Sequence, residues 1–416
     1  MKLILLNLLA ALCASALPAG GHCKSGTTCT VGHHSTKAPV PTTGAKPGAN
    51  PPVPANPSYK DACTVKSYAD FPTCVASKST TILIKGPFTV PAEKTVDLTK
   101  LKANTRVVLS GTVKFAKSSK LDGDGPALMS VGGAGITFES DATNPGVLDG
   151  TGELYWDGQG GNGGVPKPKM FRTSTTGNSV FKGFTILNAP VHVFSIGGSD
   201  TTFDNIKIDL SLGATKGGHN TDGFDVSGNG IVIQNSWVHN QDDCLAINKS
   251  SGKGVKFLNN TCIGGHGISI SVKEGGIVEN VLIKDCVVKQ STNAIRIKTL
   301  YKATSGHVSN IAYNNVQFDG ITKVGVSIQQ DYLNGGPTGV AISKMPITGV
   351  TFTNVGGSMA AGSKTKSVHL LCAPGMCTDI HFTDLKIKAA SNNAKNTCSG
   401  INPTPAGAGC DKVGTI

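Results

Sequence analysis

IQNSWVHNQDDCLAINKSSGKGVKFLNNTC, residues 233–262, carries the same short phrase at both ends. IQNSWV (233–238) and FLNNTC (257–262) each have an apolar residue, any residue and an Asn, and usually continue apolar, any, apolar. Six further copies are FKGFTI (181–186), FDNIKI (203–208), IKDCVV (283–288), YNNVQF (313–318), FTNVGG (352–357) and FTDLKI (382–387). Their third residues are Gly183, Asn205, Asn235, Asn259, Asp285, Asn315, Asn354 and Asp384. Spacings run from 22 residues (Gly183 to Asn205) to 39 (Asn315 to Asn354). The alternation makes each copy a strand of about five or six residues. The central Asn or Asp fits a tight turn that tolerates left-handed dihedrals. One strand-turn-strand unit cannot bury its inner face alone, whereas stacked units can. A propeller blade needs about 40 or more residues and four strands, and a leucine-rich horseshoe needs Leu at positions where it is missing. The pattern predicts an all-β chain forming a right-handed parallel β-helix, a single-domain solenoid. Equivalent residues of successive coils then stack about 4.8 Å apart.

Composition agrees. The chain has 416 residues, 15% of them charged, with 53 Gly, 21 Pro and 12 Cys. A soluble protein averages about 25% charge, and helical bundles need more Glu, Lys and Arg than this chain has. No run of about 18 apolar residues crosses its body, which argues against a membrane span. The net charge of +12 favours an acidic partner: nucleic acid, anionic lipid or an acidic polysaccharide.

The N-terminus, MKLILLNLLAALCASALPAGG, has a basic start at Lys2 and a short apolar run from Leu3 to Ala16. It has the form of a secretory signal peptide over residues 1–19, too short to span a membrane. Residues 20–60, with APVPTTGAKPGANPPVPANP, form a Pro-rich linker or propeptide. The folded domain spans 61–416. Export to an extracellular location means that cysteines pair. With Cys13 removed, nearest neighbours give Cys23–Cys29, Cys63–Cys74, Cys244–Cys262, Cys372–Cys377 and Cys398–Cys410, leaving Cys286 over; other connectivities stay open. No CxxC or close Cys/His set supports zinc. Asn248-Lys-Ser and Asn259-Asn-Thr are N-glycosylation sequons.

Polar residues cluster in Asn220-Thr-Asp222, Gln241-Asp-Asp243 and Gly265-His-Gly267. Asp242 follows Asn235 at the same offset as His266 follows Asn259, which stacks them on adjacent coils. Asp222 precedes Asp242 by about one coil. Arg296 and Lys298, two apart on a strand, share a face. Each residue alone suits an ordinary surface turn; together they place three carboxylates, a His and two cations on neighbouring coils. Asp242 and Asp243 can serve one site only at a bend, because neighbours on a straight strand face opposite ways. Crowded carboxylates split their proton affinities, and an acid with a base is what glycosidic hydrolysis needs. The same oxygens could hold Ca²⁺ for a uronate lyase with Arg296 or Lys298 as base.

NTDGFDV (220–226), NQDDCLAI (240–247), GHGISI (265–270) and RIK (296–298), in this order, resemble the four signatures of polygalacturonases, glycoside hydrolase family 28. The resemblance runs from about Cys63 to Cys410 and includes VDLTKLKANTRV (96–107), YWDGQGGNGG with the following KPK (155–169) and QQDYLNGGPTG (329–339). It implies a right-handed parallel β-helix and hydrolysis of homogalacturonan (pectate) with inversion. Under it, Asp242 is the general acid, Asp222 and Asp243 hold and deprotonate the water, and His266 tunes Asp242. Arg296 and Lys298 bind the galacturonate carboxylate, Tyr332 contacts the sugar and Asn220 shapes the cleft beside Asp222. Cys244–Cys262 matches a family disulfide bracing the catalytic coils. No metal or cofactor is implied. The expected protein is a secreted monomeric endo-polygalacturonase, with plant polygalacturonase-inhibiting proteins as further partners and neither nucleic acid nor membrane. Exo-polygalacturonase, rhamnogalacturonan hydrolase, calcium-dependent pectate lyase and an inactive pectin-binding protein are the competing readings. The chain departs from the family pattern in lacking a Gly between Ile270 and Ser271, and in its Pro-rich tail.

Overall fold

In the computed structural model, the first residues of the repeated phrases form one continuous ladder. Phe138, Phe181, Phe203, Ile233, Phe257, Ile283, Tyr313, Phe352 and Phe382 pair in parallel register, coil upon coil. The structure describes residues 59–410, apart from 334–335, 362–363 and 392, all within the compact unit Ala55–Ile416. The signal-peptide reading, most of the Pro-rich segment and Cys23–Cys29 lie outside the described residues. Every ladder pairing is parallel except the short one between Tyr332–Leu333 and Gly336–Pro337. The result is a parallel β-helix.

The turn residues behave as their chemistry requires. All eight third positions have positive φ, from 51° at Asn354 to 76° at Gly183. Only Gly, and Asn or Asp through local hydrogen bonds, adopt this conformation at low cost. Stacking then lets the amides bond one another: Asn259 Nδ2 donates to Asn235 Oδ1 at 2.8 Å, and Asn354 Nδ2 to Asn315 Oδ1 at 3.0 Å.

The repeats are not uniformly short strands. Early copies split at the turn, as in Ser179–Lys182 and Thr185–Leu187, but later ones run through it, as in His307–Ile321 and Ile347–Met359. In the later coils pairing resumes one residue past the turn (Lys284 with Asn314, then Cys286 with Val316), whereas in the early coils it lapses for two (Lys182 with Asp204, then Thr185 with Lys207).

The interior is a column of apolar side chains. Phe181 and Phe203 stack at 4.9 Å, Tyr313 and Phe352 at 4.9 Å, and Phe352 and Phe382 at 4.6 Å. Helix Phe71–Ala76 packs Phe71 and Cys74 against the first coils. Cys63–Cys74, Cys244–Cys262, Cys372–Cys377 and Cys398–Cys410 are bonded, and Cys286 is a buried free thiol.

Candidate active site

A second face of the helix carries the polar cluster. Its outward row, rung by rung, is Arg172, Ser195, Asp225, Ala246, Ser269, Arg296, Ser327, His369 and Thr397. The carboxylates sit where the chain bends into this face. Strand Asp243–Lys249 opens with Asp243 opposite Gly267, then slips so that Leu245 faces Ile268. The slip is the bend that lets Asp242 and Asp243 serve one site. The glycines around His266 are needed there: Gly265 (φ 58°) and Gly267 (φ 77°) have backbone oxygens of Asp242, Asn293 and Ala294 where a Cβ would stand.

The structure brings all the expected residues together, with specific partners. His266 Nδ1 lies 2.9 Å from Asp242 Oδ1. The Asp243 amide donates to the same oxygen at 2.8 Å, and Asn220 Nδ2 donates to Asp242 Oδ2 at 3.1 Å. Asn220 thus bonds Asp242, whereas the sequence placed it beside Asp222. Its own Oδ1 accepts the Gly161 amide and Asn162 Nδ2 at 3.1 and 3.2 Å, tying the YWDGQGGNGG loop to the site. Asp243 is held by cations: Arg296 Nη2 donates to Oδ1 at 2.6 Å and Lys298 Nζ to Oδ2 at 3.1 Å. Ser269 Oγ donates to Asp243 Oδ1 at 2.6 Å and accepts from Arg296 Nε at 3.1 Å. Lys298 Nζ also stands 4.9 Å over the Tyr332 ring, a cation–π contact. Asn248 is half-buried on strand Asp243–Lys249, and Asn259 is exposed in the amide ladder.

Three residues escaped the sequence reading: His192, Asp225 and Ser269. His192 Nδ1 is 2.8 Å from Asp225 Oδ2, and its Nε2 is 3.7 Å from Asp222 Oδ1. Asp225 lies three residues after Asp222 in NTDGFDV, the available signal. His192 gives none, because its coil carries no other chemical residue.

Asp222, Asp242 and Asp243 are 8%, 7% and 2% exposed, yet their proton affinities are shifted in different directions. Burial pushes Asp222 well up, and the carboxylates of Asp225, Asp242 and Asp243 push it further. Burial also raises Asp242, but the hydrogen bond and charge of His266 and the Asp243 amide outweigh it and hold Asp242 low. For Asp243, burial is overcome by Arg296 and Lys298, and the carboxyl is held low. Of the three, Asp222 therefore has the highest proton affinity.

Asp242, Asp243 and His266 bring ligand-type atoms within 4.8 Å of one another. They do not suit a resident cation: both oxygens of Asp243 already face cationic donors, which repel a third positive charge. The row of Lys298 continues through Gln329, Leu371 and Ser399. There it lines an open depression of about 680 Å³.

The model of the glycosyl hydrolases family 28 matches residues 80–410. A polygalacturonase of Penicillium griseoroseum is 43% identical over 326 residues, 77% of this chain and 82% of that protein. A probable endopolygalacturonase I of Aspergillus flavus is 41% identical over 353 residues, 84% of this chain and 91% of that protein. The structure of endopolygalacturonase I from Stereum purpureum, complexed with two galacturonate, superposes with a TM-score of 0.66 at 36% identity, covering 80% of this chain and 100% of that one. The expected coil architecture and the four motifs in one cluster thus meet a match across nearly the whole described body: the chain belongs to glycosyl hydrolase family 28 and is a glycoside hydrolase.

Proposed function

We propose that this protein is a secreted endo-polygalacturonase that hydrolyses α-1,4 links of homogalacturonan with inversion. The observation that carries this reading is the juxtaposition of three buried carboxylates, whose proton affinities are shifted in different directions, with Arg296 and Lys298. Hydrolysis needs a proton donor to the leaving oxygen and an acceptor for the water proton. Asp242 is the donor and Asp222 the acceptor. Asp243, anchored by two cations, holds the water and carries Arg296 and Lys298 to the position where a galacturonate carboxylate binds. That incoming negative charge, and the water it displaces, raise the proton affinity of Asp242. His266 keeps Asp242 oriented, and Tyr332 packs on the sugar. The names of the relatives and the open depression that extends past Lys298 favour mid-chain attack. Secretion, N-glycosylation at Asn259 and Asn248, and binding by plant inhibitor proteins belong to the same proposal. Asn259 supports it best, since its exposed amide uses one N–H for the ladder and has another for a sugar.

Reducing-end release from polygalacturonate in EDTA tests the chemistry. New reducing ends without absorbance near 235 nm are expected; absorbance there, or loss of activity on chelation, would favour the lyase. Viscosity followed against bond cleavage tests the mode. Steep loss at few cleavages is expected, and loss proportional to cleavage overturns endo action.

A further inference from the structure

Asp222 Oδ1 is buried and has no hydrogen-bond partner. His192 Nε2 stands 3.7 Å from it. This placement comes from the stack. Phe194 pairs with Phe224, so His192 and Asp222, each two residues earlier, occupy equivalent positions on adjacent coils. Val191 and Val193, 2% and 0% exposed, point inward on either side and turn His192 out. The Val193 amide donates to Asp222 O at 2.8 Å, locking the two coils. On its other edge, His192 Nδ1 meets Asp225 Oδ2 at 2.8 Å. That contact lets Nδ1 donate to the Asp225 carboxylate and turns Nε2 toward Asp222.

An inverting hydrolysis ends with the water proton on its base and with its acid deprotonated. The surroundings favour that same distribution: burial and three neighbouring carboxylates raise Asp222, while His266 outweighs burial and lowers Asp242. A new cycle therefore requires Asp222 to lose a proton and Asp242 to gain one. We infer that His192, aligned by Asp225, is the positioning residue that removes the proton from Asp222 Oδ1 between turnovers. The inference rests on the proposed role of Asp222 as the base. The Asp222 O–H bond breaks and the His192 Nε2–H bond forms. Asp222 regains its carboxylate, and the imidazolium sits between Asp222 and Asp225. His192, 29% exposed, then returns the proton to water, while Asp242 takes one from the solvent side through His266. The approach needed to make the hydrogen bond is under about 1 Å. Asp222 and Asp225 face His192 directly; Asp242, Asp243 and Lys298 act on Asp222.

The test uses full-length wild type, His192→Gln and Asp225→Asn on polygalacturonate across pH, with His192→Ala assayed with and without added imidazole. In His192→Gln, kcat should fall about 10-fold or more with KM within about twofold. The acid limb of the profile should move up in pH, because Asp222 loses its proton less readily. Asp225→Asn should shift the limb the same way by less, and imidazole should restore part of the kcat of His192→Ala. If the His192 variants do not fold, the Asp225→Asn profile decides. Superimposable profiles overturn the inference, as does a loss uniform in pH without imidazole rescue. Wild type that releases no reducing ends overturns the functional reading itself, whereas an active wild type with an unaltered His192→Gln profile overturns only the role of His192.

Discussion

Asp222, Asp242 and Asp243 are the same side chain, buried to nearly the same degree, yet their protons are held differently. Burial raises all three; their neighbours separate them. Asp222 faces other carboxylates, Asp242 a histidine, and Asp243 two cations. Asp242→Asn removes the donated proton while keeping the size, so turnover should fall by about 10²–10⁴ with an unchanged melting curve; near-wild-type rates would refute the acid assignment. Because His266 and the Asp243 amide hold Asp242 low, while it must carry a proton in the complex, substrate binding should take up protons. Titration calorimetry of Asp222→Asn with an oligogalacturonate, in buffers of different ionisation enthalpy, should show uptake near neutral pH, and proton release would contradict the cycle. Cys286 is the odd cysteine for a packing reason. Its thiol is 1% exposed, donates to the Lys284 carbonyl at 3.2 Å and is pushed up to about 12 by burial. It should resist alkylation in the native protein and react only after unfolding, as peptide mass mapping can show.

At the scale of elements, stacking turns weak local preferences into a defined register. Phe352 is sandwiched between Tyr313 and Phe382, so Phe352→Ala should cost about 3–5 kcal/mol, read as a lower denaturation midpoint. The loop from Asp157 to Lys167 depends on charge. Lys167 is 4% exposed; its Nζ bonds Asp157 at 2.9 Å and the carbonyls of Gly163 and Val165 at 3.2 and 3.0 Å. Burial raises Asp157, but Lys167 and the amides of Gln159 and Val165 prevail and bring it from 3.8 to about 2. A depressed carboxyl contributes stability above its unfolded value and loses it as pH falls through its folded value. The contribution is therefore present above about pH 4 and fades toward pH 2. Asp157→Asn strands a buried ammonium and should destabilise by about 2–3 kcal/mol at neutral pH, less than a fully unpaired charge because two carbonyls remain. It should also flatten this acid dependence, which melting curves across the window would reveal.

For the molecule as a whole, the net charge of +12 now has a partner. A polyanionic chain lying along the polar face is attracted at long range, and salt screens that attraction within about 10 Å at 0.1 M. KM for polygalacturonate should therefore rise with added salt while kcat at saturation changes little; a salt-independent KM would argue against the electrostatic role. The low charged fraction follows from the same architecture, because each coil buries strand faces on both sides of a narrow column.

The architecture was legible in the sequence because a solenoid makes local pattern and tertiary contact equivalent. Asn235 and Asn259 are spaced by one coil, so they stack, and Asp242 and His266, at equal offsets from them, meet. Turn chemistry was legible for the same reason, since Asn, Asp and Gly at the third position all take positive φ. Contacts between non-equivalent offsets were not legible. Asn220 bonds Asp242 across a coil, and Asp243 engages Arg296 and Lys298 two coils on. His192 stands at the position equivalent to Asp222, but its coil shows no other sign of chemistry. Nor could sequence apportion charge among the aspartates, because proton affinity depends on distances set by the bulge at Asp243 and on burial set by the whole stack. Sequence alone determined the repeat, the turns and the candidates for most of the site; only the tertiary structure decided how proton affinity is divided among the carboxylates, since that is a balance of desolvation against neighbours brought together by folding.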